Sequence, residues 1–477
     1  MRTASLLLSL LALLSAGPLA ADSDPPREFP RGELIDGVAA RSAPDQTYTL
    51  YLPSAYTPEK RWPIVFVFDP RGRARMAAEL FVPGAERFGF ILMSSGNTRS
   101  DVEPGEADPN TPALQTLLKD ALERLAFDPR RVYFAGFSGT ARFAWRVGAV
   151  LEPPIAGVVG CGGGLPGPFA EWKEVPFVYF GTAGFWDFNH HEMRQLDEDL
   201  DGSGIIHRFE FFEGGHGWAP TEILTEALGW MVIQAIRAGT WEASPVLVAE
   251  LWAEGLAAAR RREAEGELHA AWRRYRDLAR DFAGLGDVAV ATAAAARLAA
   301  LPAAAREAAA IRAAVAAETA YRRKLGDVAA RIETARPVPA ARALEAELEI
   351  DPLAREAEGG DVAARSARAR LETAFVRLAF YLPRRLWRAE EWRRAAVSLE
   401  LAAAIKPDRI RVLYDLACAR ALSGKKTRAA EALERAVAAG FSDLEHLESD
   451  PDLATIRGEA GYRRAVETLR RRAGSAE

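Results

Sequence analysis

Cysteine is almost missing from this chain of 477 residues, which holds only Cys161 and Cys418. One stands in Cys161-Gly162-Gly163-Gly164 and the other in the helix-like Leu416-Ala417-Cys418-Ala419. These settings argue against a disulfide framework and suit packing among small buried residues. Histidine is scarce too. The six are scattered, and the adjacent His190-His191 point in different directions on either a helix or a strand. The convergent ligand set that zinc requires is therefore lacking, and no metal is expected. No glycine-rich phosphate loop occurs, and no cofactor is expected. The formal net charge is only −5, and Arg260-Arg261-Arg262, Arg393-Arg394 and Arg470-Arg471-Arg472 alternate with glutamate-rich stretches, as solvated helix faces do. That leaves no basic field for nucleic acid.

Long apolar runs are also lacking. The one N-terminal candidate, Ala4 to Ala16 after Met1-Arg2-Thr3, is nearly all Leu, Ala and Ser, and it is shorter than the roughly 18 residues of a membrane span. Residues 1–21 read instead as a signal peptide, cleaved after Ala20 or Ala21. No later stretch approaches a span, and no cysteine lies near the cleavage point to carry a lipid. A periplasmic or secreted chain with no membrane span after processing is expected.

What the sequence does contain is Gly136-Phe137-Ser138-Gly139-Thr140, where the apolar run Arg131 to Ala135 gives way to a helix-like stretch. A sharp strand-to-helix turn of this kind lifts a serine hydroxyl into the open and aims backbone N–H groups at an oxyanion. Thr140 stands where the G-x-S-x-G pattern has its last glycine. Two further groups follow in chain order, each after a strand-like run. Phe177 to Gly181 leads to Asp187, and Ile205 to Phe212 opens into Glu213-Gly214-Gly215-His216-Gly217-Trp218. A serine nucleophile needs a base, and the base needs a carboxylate to fix its tautomer. Asp197, Asp199 and Asp201 are fallback acids whose spacing suits a solvated helix face.

Glu33–Ile35, Thr47–Leu52, Pro63–Phe68, Phe90–Met93 and Ile155–Gly160 complete eight apolar runs. The first two suit an antiparallel pair. Helix-like stretches such as Thr111–Leu125 and Ala141–Val150 separate the later ones, which predicts a mostly parallel eight-stranded sheet covered on both faces. In that order Gly139 supplies one oxyanion N–H and the loop Asp69-Pro70-Arg71-Gly72-Arg73 the second, from Arg71 or Gly72 because proline has none.

From about Gly32 to Arg237 the chain resembles the α/β-hydrolase superfamily, in particular the cap-less esterases related to polyhydroxybutyrate depolymerases, feruloyl esterases and dienelactone hydrolases. Phe68-Asp69-Pro70-Arg71-Gly72-Arg73, Ala135-Gly136-Phe137-Ser138-Gly139, Asp187-Phe188-Asn189 and Gly214-Gly215-His216 carry the resemblance. It implies a nucleophile at Ser138, a base at His216, an acid at Asp187 and an ester substrate, polymer-linked esters included. The connection Cys161 to Pro176 is too short for a cap domain. An open site is expected, rimmed by the loop Gly96 to Thr111 with Phe185, Trp186 and Trp218.

Composition changes near Thr240, beyond which Ala, Arg, Glu and Leu dominate. The expected organisation is a catalytic domain over 22–240, an Ala/Arg-rich helical region over 241–372 and helical repeats over 373–477. The repeat rests on Ala395, Leu399 and Ala402, which recur 34 residues later as Ala429, Leu433 and Ala436. That period is similar to the tetratricopeptide pattern and implies a protein partner. The activity expected is that of a serine hydrolase of carboxylic esters. A non-catalytic scaffold with protein-binding repeats and a serine peptidase using the same triad are the alternatives.

Overall fold

The computed structural model describes residues 29–100, 102 and 106–474, so the signal-peptide expectation lies outside the described residues. Eight strands form one sheet: β1 (Leu34–Ala40), β2 (Ala43–Tyr51), β3 (Trp62–Phe68), β4 (Ile91–Ser95), β5 (Phe127–Phe137), β6 (Gly157–Cys161), β7 (Val178–Gly184) and β8 (His207–Phe212). Their order is β1-β2-β4-β3-β5-β6-β7-β8. β2 pairs antiparallel with both β1 and β4, and every other pair is parallel. All seven residues of β3 are buried. The run is apolar throughout because helices cover both sides of a parallel sheet.

One face packs against α1 (Ala74–Phe88) and α5 (Thr221–Arg237), through residues such as Phe81, Leu228 and Met231. The opposite face packs against α2 (Asn110–Arg124), α3 (Gly139–Gly148) and α4 (His190–Asp201), through Leu117, Phe143 and Met193. This is the mostly parallel, doubly covered sheet that the spacing of the apolar runs predicts. β4 and β5 lie on opposite sides of β3, so the loops leaving β3 and β5 diverge at their carboxyl ends. Such a switch point leaves a crevice in which open α/β sheets bind ligands.

The change in composition near Thr240 is not where packing ends, since the first compact unit runs to Ala309. It includes α6 (Pro245–Ala264), α7 (Leu268–Asp281) and α8 (Ala289–Ala299), whose Ala259, Tyr275, Leu278 and Leu298 join the same core as α1 and α5. Charge fixes α7 in place as well. Arg273 pairs with Asp197 of α4, and Arg274 Nη2 lies 2.8 Å from Glu210 Oε2 of β8. Trp230 Nε1 of α5 donates to Asp281 Oδ2 at 2.8 Å, and Arg280 Nη2 to the His207 carbonyl at 2.7 Å.

The second unit, Ala310–Glu477, begins within α9 (Pro302–Thr334), and its described residues hold helices and no strand. Ala395, Leu399 and Ala402 lie on α14 (Trp392–Ile405), and Ala429, Leu433 and Ala436 on α16 (Lys426–Ala438), with α10 to α13 (Ala341–Glu347, Ile350–Glu356, Val362–Val376, Leu382–Arg388) before them and α15 (Ile410–Leu422) between. All six have no exposed surface and share one core. The repeat positions are therefore where helices meet. Both cysteines are unpaired and buried. Cys418 groups with Asp450 and Asp452 closely enough to share an ion. Asp450, however, already accepts from Tyr414 Oη at 2.7 Å and from the Asp452 N–H at 2.9 Å, so its carboxylate serves as a helix cap. Among the described residues no helix is long and apolar enough to cross a membrane.

Candidate active site

Ser138 occupies the turn between β5 and α3 with φ 56° and ψ −123°. A non-glycine residue there carries strain on the order of 1–3 kcal/mol, which surrounding contacts must hold. The Ser138 N–H donates to the Cys161 carbonyl at 2.8 Å, anchoring the turn to β6. A Cβ on Gly136 would sit 2.3 Å from the Thr140 carbonyl oxygen, and one on Gly163 2.2 Å from that of Ser138. Glycine is needed at both positions because the backbone itself fills the space.

Asp187 and His216 arrive from the neighbouring strand ends. β7 continues to Gly184, three residues beyond the run legible in the sequence, and the Asp187 N–H turns back onto the Gly184 carbonyl at 3.1 Å. The carboxylate thus lies one tight turn past its strand. Gly184 must lack a side chain, since a Cβ would approach the Gly214 carbonyl oxygen to 2.1 Å where the histidine loop crosses. Asp187 is 1 % exposed. Its carboxylate accepts from the Asn189 N–H at 2.7 Å, and the Asn189 side-chain amide donates to the Gly162 carbonyl at 2.8 Å.

His216 Nδ1 lies 2.9 Å from Asp187 Oδ1 and 3.0 Å from Oδ2, and its Nε2 lies 2.9 Å from Ser138 Oγ. An ionised carboxylate only accepts, so Nδ1 carries the proton and Nε2 accepts from the serine hydroxyl. Phe188 and Phe137 pack on the imidazole with ring centroids 4.1 and 4.6 Å away. Neither was legible as part of the site, because aromatic residues beside strands also serve as ordinary core. None of the fallback acids reaches this histidine. Asp197, expected on a solvated face, is fully buried and paired with Arg273 from 76 residues away. Asp201 lies against His207 and Arg276, and Asp199 accepts from Gln195.

The loop after β3 departs from expectation. The Arg71 N–H donates to Asp69 Oδ1 at 2.9 Å, and the Gly72 N–H to the Asp69 carbonyl at 3.1 Å. Each of the two N–H groups between which the second oxyanion donor was left open is therefore engaged, because a buried aspartate gathers the turn around itself. Gly139 opens α3, where the first N–H groups of a helix have no intrahelical acceptor. Asp69 also accepts from the Arg73 side chain at 2.9 and 3.0 Å and from Trp218 Nε1 at 2.9 Å. Burial alone would raise its carboxyl. The hydrogen bonds from Arg73, Trp218 and the backbone outweigh that and hold it below the usual carboxylate range.

Of the expected rim, Trp218 is thus tied to the β3 loop, and its ring packs on Phe81 and Phe137 at 5.8 Å. Phe185 packs partly into the core, and the Trp186 N–H donates to the Gly214 carbonyl at 3.1 Å. Trp218 and Phe185 are therefore chiefly packing residues, while Trp186 lies against Gly215 of the histidine loop. Cys161 stays a thiol at neutral pH, since burial pushes it up to about 11.

No protein-family model matches the chain, and no curated protein matches it. Solved structures similar to it include FphF, a fluorophosphonate-binding serine hydrolase of Staphylococcus aureus. That similarity has 12 % identity and a TM-score of 0.34, and covers 42 % of this chain and 97 % of that one. A ferulic acid esterase is similar at 16 % identity over 42 % of this chain and 96 % of its own, with a TM-score of 0.33. Esterase 2 of Thermogutta terrifontis, phosphorylated by paraoxon, is similar at 15 % identity over 44 % and 96 % of the two chains, with a TM-score of 0.33.

Proposed function

We propose that this protein is a serine hydrolase of carboxylic esters. The observation that supports the reading is the continuous chain from Ser138 Oγ through the two imidazole nitrogens of His216 to the Asp187 carboxylate, every link close to 2.9 Å. In the proposed cycle Ser138 Oγ attacks the acyl carbon while His216 Nε2 takes its proton. The imidazolium then gives that proton to the departing alcohol, leaving an acyl-serine. Water repeats the sequence and releases the acid. Asp187 keeps the proton on Nδ1 and balances the charge of the imidazolium. The Gly139 N–H, at the positive end of α3, would serve as an oxyanion donor in this cycle.

The helical unit is proposed to bind a protein partner through tetratricopeptide-like repeats, and the chain to act in the periplasm or outside the cell. The test of the catalytic reading is labelling by a fluorophosphonate, followed by a panel of p-nitrophenyl esters of increasing acyl length. Labelling at Ser138 with ester turnover supports it. An unlabelled, inactive but folded protein supports a scaffold instead, and faster turnover of amides than of matched esters supports a peptidase.

A further inference from the structure

The glycine that closes the G-x-S-x-G pattern is replaced by Thr140, and this threonine has no exposed surface. Its Oγ1 lies 2.6 Å from the Phe68 carbonyl oxygen and 2.8 Å from that of Phe137, and the Phe137 N–H approaches it at 3.2 Å. The Phe137 carbonyl is the ordinary local acceptor for a threonine in the first turn of a helix, three residues back. Phe68 is different. It lies 72 residues away at the carboxyl end of β3, immediately before Asp69.

A hydroxyl has one proton to donate. The shorter contact assigns it to Phe68, which leaves the oxygen lone pairs for the Phe137 N–H. The side chain thus joins three pieces of backbone: the last residue of β5, the first turn of α3 and the last residue of β3. Beyond Phe68 the same connection continues, since the Asp69 carboxylate accepts from Trp218 of the histidine loop. A hydrogen-bonded path therefore runs from the serine turn through the β3 loop to the loop that carries His216.

We propose that Thr140 is a positioning residue for Ser138, with its hydroxyl fixing the strained turn against the end of β3 so that Oγ stays in line with His216. The proposal rests on the reading of Ser138 as nucleophile. A glycine at this position could make no such bond. Thr140 therefore takes the place of that glycine with a side chain that restrains the elbow without crowding it.

Three substitutions of the full chain separate this role from plain packing. Thr140→Ser keeps the hydroxyl, Thr140→Ala removes it and leaves space, and Thr140→Val puts a methyl against a carbonyl oxygen now 2.6 Å from the hydroxyl. The readouts are the second-order rate of fluorophosphonate labelling and the separate kcat and KM for p-nitrophenyl butyrate, each normalised to the folded fraction by circular dichroism. We expect Thr140→Ala to lower both the labelling rate and kcat by about ten- to a hundredfold with KM little changed, as small misplacements of a reacting group do. Thr140→Val should lower them further, and Thr140→Ser should restore most of the loss. If Thr140→Val does not fold, Thr140→Ala and Thr140→Ser decide the matter. A labelled wild type with folded Thr140→Ala reacting at the wild-type rate overturns this inference alone. An unlabelled wild type overturns the nucleophile reading and this inference with it.

Discussion

At the scale of single residues, a carboxylate that meets one imidazole nitrogen with both oxygens leaves the ring little freedom to turn. Asp187 does this to His216 Nδ1, and the Asn189 N–H holds the carboxylate in turn. Asp187→Asn keeps the shape but lets the amide favour the opposite tautomer, with Nε2 protonated and unable to accept from Ser138. The expected result is a folded protein with kcat lowered by roughly ten-thousandfold, measured on a p-nitrophenyl ester beside a circular dichroism spectrum. Ser138, Asp187 and His216 were legible in the sequence because each follows a strand-like run in one chain order. Asp69, Thr140 and Phe188 were not. The partners of Asp69 and Thr140 include residues 149 and 72 positions away, and no local pattern signals such a pairing.

Among the elements, β8 closes the parallel side of the sheet and leads into the histidine loop, so what covers it bears on the site. α7 meets it with arginines: Arg274 reaches Glu210 and also Glu226 of α5, and Arg280 reaches the His207 carbonyl. Burial works against the charge on Glu226, yet Arg208 and Arg274 hold it below the usual range. Burial keeps Glu210 above it. Arg273→Met would leave Asp197 fully buried without its cation, which costs about 3–5 kcal/mol. A matching drop in unfolding free energy by urea is expected, largely reversed in the double variant Arg273→Met, Asp197→Leu. An unchanged denaturation midpoint for the single variant would show that the pair adds nothing. Strands were readable as apolar runs, whereas α7 reads in sequence as one more charged helix. Only its contacts show that its cations face inward.

For the whole molecule, composition and packing divide the chain at different places. The glycine- and aromatic-rich part stops near Thr240, but the first compact unit runs to Ala309, because α6 to α8 share the core that lies under α1 and α5. A chain ending near Ala309 should fold and hydrolyse small soluble esters at close to the full-length rate. One ending near Arg237 would uncover Trp230 and Phe88 and leave Asp197 and Glu210 without Arg273 and Arg274, so it should be poorly soluble or unfolded. Sedimentation and far-UV circular dichroism of the two truncations check this. Equal solubility and activity would place the functional boundary at Thr240 after all.

The proposed activity requires Ser138 to be a nucleophile activated by His216. The most direct measurement is intact-protein mass spectrometry after treatment with a fluorophosphonate, with peptide mapping of the adduct. One adduct per chain is expected, located on Ser138, lost in Ser138→Ala and formed far more slowly in His216→Ala. A folded wild-type protein that takes up no adduct, or takes it up on another residue, would contradict it.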